Sequence, residues 1–293
     1  MFKLPYLRNL VTSSLATAVV MGCGGGDGDG GAEDAGEATA AVMEHPVDAA
    51  TAGSITGLVI FTGTPSEGDM IDMSEEPACA EVHATPPMRM PAVVGADGGL
   101  ANVFVHLSEG LDPSLQFPAE EAAVLDQLGC EYVPHVVALS TGQQLTVRNS
   151  DPVLHNVNTT PTENRGFNRS QPQVGMEFQT SFPTAEVMIP VRCDVHGWME
   201  SYIGVTAHPY HAVTGEDGSF ALERLPPGTY TLEAWHELYG TVTQSVVVPE
   251  SGDVEVMFEF DESMAGRHVP LRPTLIISHE RDGRATAVRA TQQ

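Results

Sequence analysis

The chain is 293 residues long and carries 39 acidic residues against 13 Lys and Arg, for a formal charge of −26. That balance excludes nucleic acid and anionic membrane surfaces as natural partners. The length has room for two modest domains.

Lys3 and Arg8 flank or precede an apolar stretch, Leu10 to Met21, that is diluted by Thr and Ser and too short to span a membrane comfortably. This is the pattern of an export signal over residues 1–22. Its end, Val20-Met21-Gly22-Cys23, resembles the lipobox of bacterial lipoproteins, although Met21 is bulkier than the small residue usual there. The resemblance implies that Cys23 becomes the lipidated first residue. The protein would then be exported and held at the cell envelope through a lipid anchor only. An ordinary secretory signal with an incidental Cys is the alternative. Without residues 1–22, 11 arginines face 39 acids, a net −28, and no lysine remains. Residues 23–53 are rich in Gly, Ala and acids and show no periodicity, which reads as a flexible, self-repelling tether.

From residue 54 the pattern turns to β. Ser54 to Phe61 alternates in part and ends at Gly63-Thr64-Pro65. Residues 64–99, with many Pro, Met and acids, read as a long loop or insertion. Leu100 to Leu107 sets Val103, Val105 and Leu107 against Asn102, Phe104 and His106. Ala119 to Leu128 reads as the one possible helical turn. Val136, Val137 and Leu139 make a strand, Thr141-Gly142-Gln143 a turn, and Leu145 and Val147 a second strand. Phe178–Phe182 and Val187–Val191 lead into Cys193, and Tyr202–Val205 leads out. Short strands bounded by Gly and Pro indicate an all-β sandwich.

Cys193-Asp194-Val195-His196-Gly197-Trp198-Met199 places a thiol, an imidazole and a thioether at spacings of three and six residues. A second imidazole, His155, lies upstream. Two His and one Cys with a weak axial Met form the ligand set of a blue-copper site. Zinc gains little from a thioether, and calcium and magnesium want oxygen. On a helix these residues would share one face, but β-branched flanks, Pro190 and the internal Gly197 point to a tight loop between strands. The succession Tyr132-Val133-Pro134, Gly142, Asn149-Ser150-Asp151, His155-Asn156-Val157 and Cys193-x-x-His196-x-x-Met199 resembles the plastocyanin- and amicyanin-like cupredoxin family over about residues 130–206. The resemblance implies a Greek-key β-sandwich holding one type 1 copper on His155, Cys193, His196 and Met199. It gives Asn156 a tuning hydrogen bond to the ligand loop, makes His196 the electron's exit on an exposed loop, and places Trp198 in a docking patch.

With Cys23 and Cys193 so assigned, Cys79 and Cys130 remain in an oxidising compartment, where one disulfide is the plain reading. A second metal held with His83 and His135, or two free thiols, are the alternatives.

Val213-Thr214, Asp217-Gly218-Ser219-Phe220-Ala221-Leu222 and Leu225-Pro226-Pro227-Gly228-Thr229-Tyr230-Thr231-Leu232 resemble the carboxypeptidase regulatory-like, transthyretin-type sandwich. Asp217-Gly218 is a hairpin signal, and Phe220/Leu222 and Tyr230/Leu232 alternate inward. The expected order is therefore a copper domain at 54–207 with an N-terminal insertion, a smaller sandwich at 208–262, and a tail at 263–293. No HExxH or GxSxG motif occurs, so no enzyme is expected. The expected function is single-electron transfer with unidentified redox partners at the cell envelope. Copper delivery, or a surface scaffold with an incidental copper site, are the alternatives.

Overall fold

The computed structural model describes residues 45–266, 275–279 and 285–289. The expected export signal, Cys23 and the tether as far as residue 44 lie outside the described residues. The elements are β1 (Gly53–Thr62), β2 (Asp69–Met70), α1 (Pro77–Glu81), β3 (Met88–Arg89), β4 (Phe104–Glu109), β5 (Ala123–Leu128), β6 (Glu131–Val133), β7 (Val136–Ser140), β8 (Leu145–Asn149), β9 (His155–Thr159), β10 (Asn168–Gln171), β11 (Glu177–Thr180), β12 (Glu186–Arg192), β13 (Glu200–Thr206), β14 (His211–Val213), β15 (Ser219–Leu225), β16 (Gly228–His236), β17 (Gly240–Val248) and β18 (Asp253–Asp261). In the expected tail, β19 (Leu275–His279) and β20 (Ala285–Arg289) pair as an antiparallel hairpin. The chain is all-β, as its strand signals indicate.

Two sandwiches account for the body. In one, the sheet β10-β9-β12-β13-β7 faces β11-β8-β5-β6 around a core that includes Leu125, Leu145, Val157, Ile189 and Ile203. In the other, β15-β1-β18 faces β14-β4-β16-β17 around Ile55, Val105, Leu222, Leu232 and Phe258. The strands do not follow the expected division at residue 207. β1 runs antiparallel to β15 and parallel to β18. β4 pairs with both β14 and β16. Residues 53–109 thus supply the central strand of one sheet and an inner strand of the other. Residues 208–262 alone would leave both sheets split and their buried faces open. The sandwich of β5–β13 is inserted within its neighbour rather than preceding it.

Two further expectations differ. Ala123–Leu128 is not a helical turn but β5, paired in parallel with β8; its acidic lead-in suits a helix start, yet Leu125 is needed in the core. Residues 45–52, expected in the tether, pack on the second sandwich. Val47 is buried, and its carbonyl accepts a hydrogen bond from Arg224 Nε at 3.0 Å.

A third apolar cluster joins the sandwiches: Phe104 and Trp235 from one side, Val136 and Tyr202 from the other. This explains why β4 is apolar on both faces. Val105 and Leu107 enter its own core, while Phe104 points across. At the edge of this contact His135 Nε2 lies 2.6 Å from a Glu237 carboxylate oxygen.

These buried groups set a pH dependence. Burial opposes charge on His135, but Glu237 holds its pKa above 6.5; Glu237, although burial pushes it up, is held below 4.5 by His135. The raised histidine stabilises fully below pH 6.5, and the depressed carboxylate stabilises fully above pH 4.5. Burial drives His208, His211 and His236 the other way, each down to about 4. The unfolded chain takes up those three protons as pH falls from 6.5, and the folded chain resists until about 4. Each then costs on the order of 2 kcal/mol by mildly acidic pH. Three histidines outweigh one pair, so the urea midpoint should fall steadily from pH 7 to 4.5. A flat or rising midpoint contradicts this.

Candidate metal centre

The centre lies where β9 and the β12–β13 loop meet at one end of the inserted sandwich. Asn149 folds the corner before β9: its side chain donates to the carbonyls of Val153 (2.9 Å) and Gln171 (2.8 Å) and accepts from Asp151 N (2.9 Å). This turns the Asp151 carboxylate inward. It accepts from Gly129 N and Cys130 N, each at 2.8 Å, and stands 2.9 Å from His155 Nε2. An ionised carboxylate can only accept, so Nε2 carries the proton and Nδ1 offers its lone pair.

His155 Nδ1 lies 2.9 Å from His196 Nδ1, and Cys193 Sγ lies 3.9 Å from that same His196 nitrogen. His155, Cys193 and His196 bring one ligand atom each within 4.8 Å of one another. His155 is 0%, Cys193 4%, His196 2% and Met199 1% exposed, so the group is sealed from bulk water. Met199 sits in the same apolar cluster, and its backbone closes the loop: Cys193 N donates to Met199 O (3.2 Å) and Met199 N to His196 O (3.0 Å).

Burial pushes the Cys193 thiol up, but the hydrogen bond with His155 and those from the amides of His196 and Val195 bring it below its ordinary value. Burial resists charge on His155, while Asp151 and Cys193 raise its pKa. Burial and the neighbouring His155 lower that of His196. The cluster therefore favours a thiolate and a neutral His196, while the proton drawn to His155 by Asp151 and Cys193 is the one a metal would displace.

Asp194 locks the loop to the strands. Its carboxylate accepts from Asn156 (3.2 Å), Asn158 (2.9 Å) and Asn168 (2.6 Å), and its backbone N donates to Asn156 Oδ1. Asn156 thus bridges β9 to the loop, whereas Asn158, Asn168 and Asp194 were not singled out by sequence. Their only signal was a run of amides facing an acid.

The surroundings of His196 differ from the sequence expectation. Asp194, Val195 and Gly197 keep the loop exposed, but the His196 side chain itself is buried. Glu76, which caps α1, lies over it, with its Oε2 3.9 Å from His196 Nε2. That nitrogen has no hydrogen-bond partner among the described residues. Cys79 and Cys130 are joined by a disulfide that pins this cover. Both sulfurs are thereby consumed, which overturns the alternative of a second metal with His83 and His135. His83 Nε2 instead meets Gly129 O at 2.7 Å. Cys130, Asp151 and His155 also converge, but a disulfide sulfur is no thiolate ligand. Trp198 is half-buried rather than a surface patch: its ring lies 5.0 Å from that of His196, and its Nε1 donates to Cys130 O at 3.0 Å.

Residues 202–261, from within β13 to the end of β18, match the family model of the carboxypeptidase regulatory-like domain. No curated protein sequence matches the chain. Solved structures similar to part of it include a purple cupredoxin from Nitrosopumilus maritimus, at 19% identity over 30% of this chain and 100% of that one, with a TM-score of 0.26. A Cu-containing nitrite reductase from Thermus scotoductus SA-01 is similar at 14% identity over 34% of this chain and 25% of that one, TM-score 0.28. An amicyanin mutant in its Cu(I) form is similar at 16% identity over 35% of this chain and 98% of that one, TM-score 0.27.

Proposed function

We propose that the inserted sandwich is a type 1 copper domain that carries single electrons, with His155, Cys193, His196 and Met199 as ligands. The observation that carries this reading is the buried convergence of two imidazole Nδ1 atoms and one thiol with lowered pKa, in the same cluster as a fully buried Met. A copper ion in such a set takes up and releases one electron. The protein's part is to hold the donors still. Asp151 fixes the ring and proton of His155, and the three amides on Asp194 fix the loop that bears Cys193. With these groups tied to β-strands, little can rearrange when charge changes. The ring of Trp198, tilted against that of His196 and reaching a groove shared with Met70 and Arg89, supplies the way out that the covered His196 lacks.

The reading extends to a place at the cell envelope. Residues 1–22 would direct export and Cys23 would carry the lipid, motivated by the lipobox-like Val20-Met21-Gly22-Cys23; mass spectrometry of the mature N-terminus checks it. A mature protein starting elsewhere removes the anchor but leaves the metal centre. Donor and acceptor would be proteins of that compartment, and the reading assigns no catalysed reaction. The carboxypeptidase regulatory-like sandwich would serve as the frame on which the copper domain is mounted.

One observation favours a second reading, copper delivery: the cover over His196 suits a protein that stores an ion and releases it on opening. An anaerobic redox titration separates the two. A carrier shows one reversible one-electron wave with copper retained in both states. Loss of copper to a chelator on reduction favours delivery.

A further inference from the structure

We propose that the β2–β3 hairpin bears a second metal site, a surface trio of thioethers from Met70, Met88 and Met90 that binds Cu(I). Met70 and Met88 are direct cross-strand partners, so their side chains leave the same face of the hairpin. Directly opposed residues have Cβ atoms about 4.5–5.5 Å apart, within reach of one ion for a side chain as long as Met. Met90 follows the end of β3 and lies across from Gly68. Its Sδ lies 2.5 Å from the point that a Cβ on Gly68 would occupy, so the missing side chain at 68 lets the thioether fold over the strand toward Met70.

The three are 67%, 48% and 45% exposed. Three flexible apolar chains in water on strands of two residues add little to folding, so their placement needs another reason. Thioethers are soft and select Cu(I) over hard cations. Exposed Glu67, Asp69 and Asp72 give the hairpin a cation-attracting field. Arg89, paired with Asp69, alternates with Met88 along β3 and lines both cavities beside the methionines.

The position gives the site its use. Met88 and Met90 line a cavity of about 540 Å³ together with Trp198 and Met199, and Met70 lines a groove with Gly197 and Trp198. The trio borders cavities that reach the ligand loop at Gly197, Trp198 and Met199, while Cys193 and His196 on that loop are buried. Cu(I) captured there reaches the inner donors by ligand exchange with no change of oxidation state. The destination rests on the copper reading; the thioether site itself does not.

The test is anaerobic titration of the full chain with Cu(I) buffered by a chromogenic chelator, with Ag(I) as a redox-silent probe and NMR of the Met methyl groups as direct readout. The wild type should bind two Cu(I). Met70→Leu/Met88→Leu/Met90→Leu keeps volume and apolar area and should bind one, with inner-site loading at least tenfold slower. Ag(I) should shift three exposed Met methyl resonances in the wild type. If the triple variant binds as much Cu(I) as the wild type, the proposal is overturned. One Cu(I) in the wild type, lost in Cys193→Ser, also overturns it and leaves the copper centre standing. One Cu(I) kept in Cys193→Ser and lost in the triple variant upholds the thioether site and removes the copper centre. A face that merely docks an apolar partner would survive the Leu changes with no Ag(I) shift, which again overturns the proposal.

Discussion

Replacing Cys79 and Cys130 together by alanine should lower folding stability by about 4 kcal/mol and open the metal centre. The disulfide closes a loop of 51 residues, and the loop-closure entropy of a chain that long gives about this value. Its second effect is local. Cys79 belongs to α1, which holds Glu76 over His196; Cys130 donates its N–H to Asp151 and accepts from Trp198. Untying the two frees the cover and loosens the turn that presents Asp151 to His155. Urea denaturation reads the first effect, and the rate at which a small chelator strips copper reads the second. A rate unchanged in the variant would mean that the cover does not guard the site.

Phe104→Ala should cost about 3–5 kcal/mol, the range for emptying a buried aromatic position. Phe104 is 0% exposed and lies at the contact between the sandwiches. Across from it, a Cβ added to Gly204 would fall 2.7 Å from the Phe104 ring, which has no room to retreat. Gly204→Ala alone should therefore destabilise by about 1–3 kcal/mol through overpacking. The double variant should cost clearly less than the two single costs together, because the new methyl enters the space the ring vacated. Additive costs, measured by denaturant unfolding, would show that the two residues do not oppose each other.

The local half of this protein was legible in its sequence. His155, Cys193, His196 and Met199 stand in short motifs whose spacing survives folding, because a tight loop between two strands keeps neighbours together. Asn156 was legible for the same reason. What escaped was non-local. β1 reads as a strand, but nothing in Ser54 to Phe61 says that it pairs with residues 219–225 and 253–261 rather than with the sandwich that follows it. The cover over His196 depends on a disulfide and on one carboxylate, Glu76, set in an acid-rich stretch that resembles any solvated loop. Asp151 lay in the Asn-Ser-Asp corner as a turn residue. Its hold on His155 appears only once Gly129 and Cys130 are folded against it.

The most direct test of the copper centre is the visible absorption spectrum of the purified, copper-loaded wild type beside Cys193→Ser. A thiolate bound to oxidised copper should give the wild type an intense blue, violet or green charge-transfer band that vanishes in Cys193→Ser. A colourless copper complex, or a band that persists without the Cys193 sulfur, would contradict the assignment.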